Sequence, residues 1–231
     1  MRSQSNQDSP HILSVETATL AGSVALARGE SIVAALAGDS GVSHSNTLLN
    51  DIDRLLSKAQ VELSEIDLFA VATGPGSFTG LRIGIATVKG LAATLDRPCA
   101  GVPTLQAIAL AAGPSSQSVA LLPAGRGEVF AQLFSVSQDG LVTELDQATH
   151  ISPQILLEKY GALESVLWCG EGAIANKALL KGEQIAPPVP VLATHVASLA
   201  LRKFREQQLQ HPDALQAIYV RPSDAELKTL E

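Results

Sequence analysis

The stretch LFAVATGPGSFTGLRIGIATVKGLA (68–92) reads as strand, turn and helix in direct succession. LFAVAT (68–73) is a short continuous apolar run, the pattern of a strand buried on both faces. The turn GPGSFTG (74–80) ends it, and a long helical segment runs from 78 to about 95. This stretch places the chain in the α/β class.

Outward from it the same alternation continues. Upstream, ILSVET (12–17), GSVALAR (22–28) and SIVAALA (31–37) predict three short strands joined by Gly-containing or polar turns. Leu48, Leu49, Ile52, Leu55 and Leu56 recur at helical spacing and predict an amphipathic helix over 45–60, with Ser43 or Ser45 as its N-cap. Downstream, PCAGV (98–102) predicts a strand, and a helix from Thr104 is ended by Gly113-Pro114. The order is β-β-β-α-β-α-β-α. It returns after Ser115-Ser116, with SVALLPA, EVFAQLFSV and LVTELDQA as strands, a helix from Ser152, the strand SVLWCG, and helices over 171–181 and near 194–209. A strand over 189–192 is disfavoured by Pro187, Pro188 and Pro190. The repeat predicts two lobes, 11–115 and 116–231, after a leader over 1–10 expected to be disordered.

The 231 residues are 46% hydrophobic and 3% aromatic, so two modest cores must be built from Ala, Val, Leu and Ile. A formal net charge of −7 leaves no global positive field with which to release counterions from a nucleic-acid backbone. Arg202, Lys203 and Arg205 concentrate positive charge locally, in a helical stretch whose solvated face accounts for them. Cys99 and Cys169 lie far apart inside strand-like apolar runs, which suits buried thiols in a reducing, cytoplasmic compartment. No run of about 18 apolar residues predicts a membrane span.

The turn 74–80 sits before a helix N-terminus, where backbone N–H groups point toward an anion. It carries no Lys for a Walker loop, and Thr79 stands where a dinucleotide fingerprint needs glycine. Gly74, Gly76 and Ser77 are therefore candidate anion or nucleotide residues, with a tight structural turn as the alternative. Glu16 and Thr17, at the end of the first strand, either face a nucleotide or metal across a cleft or cap the hairpin turn. In the helix that follows the turn, Gly80 and Gly84, then Ala86 and Gly90, recur at four-residue spacing and leave a face that another backbone can approach. With Leu48, Leu49, Ile52, Leu55 and Leu56 on the preceding helix, Gly80, Gly84 and Ala86 make a candidate partner interface; the alternative is that both helices only cover their own sheet.

His11, His44, His150, His195 and His211 contain no i, i+4 pair, and neither cysteine has a Cys or His at metal-ligand spacing, so no metal site is read. There is no G-x-S-x-G elbow, and Cys99 has no activating neighbour, which leaves nucleophilic catalysis without support.

Four segments, ILSVETATLAGSVAL, HSNTLLNDIDRLL, VATGPGSFTGLRIGIATVKGLA and GVPTLQAIA, together resemble the TsaB family, also called YeaZ, of tRNA threonylcarbamoyladenosine biosynthesis proteins. The resemblance covers 12–109 and thins in the second half to RGEVF (126–130) and IYVRP (218–222). It implies the two-lobed fold of actin, sugar kinases and Hsp70. It also implies an accessory, non-catalytic paralogue of TsaD, the subunit that transfers threonylcarbamoyl to N6 of adenosine 37 in tRNAs reading codons that begin with A. The implied partners are a TsaD-like subunit, a TsaE-like ATPase in a larger complex, a second copy when the chain is alone, and tRNA only through the complex. No tightly bound cofactor is implied, though ATP or ADP fits the interface with the TsaD-like partner.

TsaD-like chains carry a metal-binding His-x-x-x-His where this sequence has Thr104 and Ile108. Two imidazoles at i, i+4 share one helix face and clasp an ion; Thr and Ile do not. A second departure is Pro123-Ala124-Gly125-Arg126-Gly127-Glu128, where the family often reads Asp-Ala-Arg-x-Gly-Glu. The competing expectation is a kinase-like ATP-using enzyme or a glycoprotease of the same superfamily. Against it stand the missing histidines, the missing nucleophile, and Glu16-Thr17-Ala18-Thr19, which lacks the Asp and Gly of a kinase phosphate loop.

Overall fold

A computed structural model describes residues 9–41, 44–180 and 184–220, without the side chains of 44–46. The N-cap expected at Ser43 or Ser45 and most of the 1–10 leader lie outside these residues. Pro10 is buried, and its carbonyl accepts from the Gly29 N–H at 3.0 Å, immediately before the first strand begins at His11.

The chain forms two units. The first contains the described residues up to Thr73, with Thr79–Val102 and Pro190–Ala217. Its sheet is built from β1 (His11–Glu16), β2 (Ser23–Arg28), β3 (Ser31–Ala37), β4 (Leu68–Gly74) and β5 (Cys99–Pro103), in the order β3-β2-β1-β4-β5. β1 pairs antiparallel with β2, β2 antiparallel with β3, and β1 parallel with β4. β4 is buried along its whole length, as its unbroken apolar run requires. Helices α1 (His44–Ala59) and α2 (Phe78–Thr94) flank this sheet in sequence. Leu13, Val15, Leu26, Leu55, Phe69 and Val88 lie at the centre of the first core.

The second unit contains α3 (Thr104–Ala112), β6 (Ser115–Gly125), β7 (Glu128–Val136), β8 (Val142–Glu144), β9 (Thr149–Ile151), α4 (Pro153–Tyr160), β10 (Leu167–Cys169), α5 (Glu171–Ala175) and β11 (Gln184–Ile185). Its sheet runs β11-β10-β6-β7-β8, with β9 also on β7. β6, β7 and β8 are antiparallel neighbours, while β10 is parallel to β6 and to β11. Apart from the added β9, this repeats the strand order of the first sheet, with an antiparallel meander on one side of the leading strand and a parallel neighbour on the other. The molecule has the duplicated, two-lobed fold of actin, sugar kinases and Hsp70.

One difference from the sequence reading concerns which helix closes which sheet. The division at 115/116 leaves 104–112 with the first lobe and 194–209 with the second. Instead, α3 packs on β6, β7 and β10 of the second sheet, and the last helix, α6 (Ala193–Arg205), packs on β1, β2 and β3 of the first. Each half thus lends its final helix to the other. Buried polar groups fix α6 in place: the Ser14 hydroxyl donates to the Ala193 carbonyl at 2.8 Å, and the Ala193 N–H donates to Ser23 Oγ at 3.0 Å. These bonds join residues more than 160 positions apart in sequence, a separation that local patterning does not encode.

Smaller corrections have local causes. LVTELDQA gives only β8, because the Asp146 carboxylate turns inward to accept the Leu133 N–H at 2.7 Å and interrupts the strand. The helix expected over 171–181 stops at Ala175, where the Asn176 side chain donates back to the Gly172 carbonyl at 2.8 Å. The proline-rich 189–192 forms no strand, and the sheet takes Gln184–Ile185 as its edge instead. Cys99 and Cys169 are buried and unpaired, as expected, and burial pushes their thiols up to about 11 and about 12. Among the described residues no helix is long and apolar enough to cross a membrane.

Candidate functional site

Helix α2 has two faces with different requirements. Inward, Gly80, Leu81, Gly84, Ile85, Val88 and Ala92 are buried. The Thr17 hydroxyl, at the end of β1, donates to the Gly80 carbonyl at 2.8 Å, and a Cβ on Gly84 would stand 2.2 Å from Thr17 Oγ1. Gly84 therefore has an intrachain explanation. Ala86 and Gly90 face outward and are exposed, and a Cβ on Gly90 would meet nothing within 4 Å. The expected common face of Gly80, Gly84 and Ala86 is corrected accordingly. At about 100° per residue, positions 84 and 86 lie on opposite sides of a helix.

On α1 the division is similar. Leu48, Ile52, Leu55 and Leu56 are buried in the first unit's own core, which is the sheet-covering alternative rather than a partner surface. Leu49 points away and is 62% exposed. Of the residues assigned to the candidate interface, Leu49 and Ala86 remain available to a partner.

Glu16 is buried, with its carboxylate accepting the Thr19 N–H at 2.7 Å and the Thr19 hydroxyl at 2.8 Å. It caps the β1–β2 turn, as the alternative reading had it. Beside it lies a cavity lined by Glu16, Thr17, Gly22, Gly38, Leu48 and Asp51 among others, with an empty volume of about 250 Å³ that includes open solvent.

The turn 74–80 is built on Gly74 and Gly76, whose φ angles of 114° and 159° favour glycine. The Gly74 N–H donates to the buried Thr104 hydroxyl at 3.1 Å, so this amide is already committed. Gly76 is half-buried, and Ser77 is exposed. The same Thr104, with Ile108, forms the pair that the sequence resemblance sets against the histidines of TsaD-like chains. Ile108 is buried, and its Cγ2 would stand 2.9 Å from a Cβ on Gly170. One position has a hydroxyl engaged by the backbone and the other has no ligating atom, so this pair does not fit a metal ion.

The departure at 123–128 is a two-residue hairpin turn. Gly125 pairs with Glu128, and Arg126 and Gly127 carry φ of 53° and 78°, the arrangement that closes a tight antiparallel hairpin. Two of the three basic residues near 202 are engaged within the first unit: Lys203 Nζ donates to the Gly101 carbonyl at 2.8 Å, and Arg205 pairs with Glu30 at 2.8 Å. One contact escaped the sequence reading. Phe78 of the GPGSFTG turn meets Tyr219 of IYVRP, with ring centroids 5.4 Å apart, so two segments singled out separately are neighbours.

With this geometry in hand, the comparisons with known proteins converge. The family described as "TsaD: tRNA N6-adenosine threonylcarbamoyltransferase" matches residues 39–211, three quarters of the chain. The Escherichia coli (strain K12) tRNA threonylcarbamoyladenosine biosynthesis protein TsaB is 28% identical over 222 residues, covering 91% of this chain and 94% of that protein. Among solved structures, YeaZ from Pseudomonas aeruginosa superposes with a TM-score of 0.79 at 25% identity, over 91% of this chain and 99% of that one. Component A of the Acidaminococcus fermentans (R)-2-hydroxyglutaryl-CoA dehydratase shares the fold alone, with a TM-score of 0.51 at 11% identity over 85% of this chain and 99% of that one. The chain therefore belongs to the family described as TsaD, and over nearly its whole length it is similar to TsaB proteins.

Proposed function

We propose that the chain is an accessory subunit of tRNA threonylcarbamoyladenosine synthesis that pairs, through the outer faces of α1 and α2, with a TsaD-type transferase. It does not itself carry out the transfer. The observation that carries this reading is Gly90. A glycine inside a helix costs about 1 kcal/mol relative to alanine, and here no neighbour in the chain requires it. Close approach by another backbone supplies the missing reason, with Ala86 beside it and Leu49 offering apolar area on α1. The non-catalytic role is supported by Thr104 and Ile108, which are committed to packing. The same surface serves a second copy when the transferase is absent, and contact with tRNAs reading codons that begin with A comes through the complex, which includes a TsaE-like ATPase. The compartment proposed is the cytoplasm.

Reconstitution tests this reading. Purified transferase, ATPase and a source of threonylcarbamoyl-adenylate should modify tRNA when this chain is added and not when it is omitted, and this chain alone should give none. Full modification in its absence, or modification by this chain alone, would overturn the proposal.

A further inference from the structure

Glu16 and Thr17 are buried polar residues at the end of a central strand. Their surroundings show what they hold. The 17–22 turn is fixed from below by Glu16, which binds Thr19 through both carboxylate oxygens. From the side it is closed by the residue that follows β3: the Gly38 N–H donates to the Gly22 carbonyl at 3.0 Å, and a Cβ on Gly38 would stand 2.1 Å from the Ala21 carbonyl oxygen. Thr17 begins this rigid turn, and its hydroxyl reaches into the notch left by the missing side chain of Gly84 to bind the Gly80 carbonyl.

We infer that Thr17 is the positioning residue of the pairing surface: it sets the depth of α2 on the sheet and so the placement of Ala86 and Gly90. This inference rests on the pairing surface proposed above. Its logic lies in the smallness of the outer residues. A face of Ala and Gly has no long side chain that can re-aim, so its contact distance follows the backbone directly, and a shift of a few tenths of an ångström forfeits much of the dispersion contact. Leu48 and Asp51 of α1 line the same space as Thr17, Ala21 and Gly22 of the turn. The i, i+4 glycine pair 80/84 and Thr17 thus act as one clasp.

The test compares Thr17→Val, which keeps the shape and removes the donor, with Thr17→Ser, which keeps the donor. Binding to the same organism's TsaD-type subunit is titrated, and thermal unfolding of each variant is followed in parallel. Thr17→Val should weaken pairing about tenfold while remaining folded, and Thr17→Ser should pair within about threefold of the parent. Thr17→Val pairing with parental affinity would overturn the inference, and so would outright unfolding, which would assign the bond to stability alone. Ala86→Arg, made in the same series, separates the two layers of the argument. If it pairs normally, the surface itself is wrong; if it abolishes pairing while Thr17→Val does not weaken it, the surface stands and the role of Thr17 falls.

Discussion

Alanine at Gly84 and alanine at Gly90 should move stability in opposite directions, although both replace a glycine in the same helix. At Gly84 the new Cβ would lie 2.2 Å from Thr17 Oγ1, closer than any real contact, so the buried Thr17 must shift. Relieving the clash by rotating Thr17 breaks its bond to the Gly80 carbonyl, a loss of about 1–3 kcal/mol for a buried pair. Overpacking costs about 1–3 kcal/mol more, and better helix propensity returns about 1 kcal/mol. The net is a loss of about 1–5 kcal/mol, or several degrees of Tm at about 2–4 °C per kcal/mol. At Gly90 the Cβ meets open space, so only the propensity gain of about 1 kcal/mol remains and Tm should rise by about 2–4 °C. Differential scanning calorimetry of the two variants gives the signs directly. Adding Thr17→Ala to Gly84→Ala should recover part of the loss, because the two residues share one space. A stabilising Gly84→Ala, or an additive double variant, would refute the clasp.

Two further outcomes follow from charge and burial. Burial lowers the pKa of His195 below its ordinary 6.5, so under acid conditions the unfolded chain takes up a proton that the folded chain resists. Its contribution to stability is full above pH 6.5 and is lost as pH falls through the lowered folded value. The drop in Tm from pH 7 to pH 5 should therefore be smaller in His195→Gln than in the parent, and an unchanged drop would contradict the assignment. With a net charge of −7, and with Lys203 and Arg205 engaged within the first unit, the isolated chain should bind tRNA weakly or not at all. Submicromolar, salt-sensitive retention in a filter-binding assay would count against this.

The elements with strong local signals were legible in the sequence. β4 and α2 are marked by an apolar run, a glycine turn and a helical period, and α1 by its leucine stripe. The duplication was legible because the same order of elements returns. What the sequence did not carry was the exchange of α3 and α6 between the sheets, since Ser14 and Ser23 reach Ala193 across most of the chain. At the site, four-residue spacing identified Gly80 and Gly84 as close-packing positions but did not name the neighbour. That neighbour is Thr17, which read as a candidate ligand. The leucine stripe was read with both possible roles open, and burial gives four of its five members to the core. A helical wheel separating 84 from 86 would have divided the inner glycines from the outer face without a structure.

The central claim, that the outer face of α2 is a pairing surface, is tested most directly by Ala86→Arg. Ala86 is exposed, so a monomer accommodates the larger side chain in water with little change in Tm. If a second backbone seats there, the guanidinium is buried without a partner, at a cost of several kcal/mol. Sedimentation of the variant with the same organism's TsaD-type subunit should then show two separate species where the parent shows a complex, with circular dichroism unchanged. A folded Ala86→Arg chain that still sediments as the parental complex at the same concentration would contradict the account.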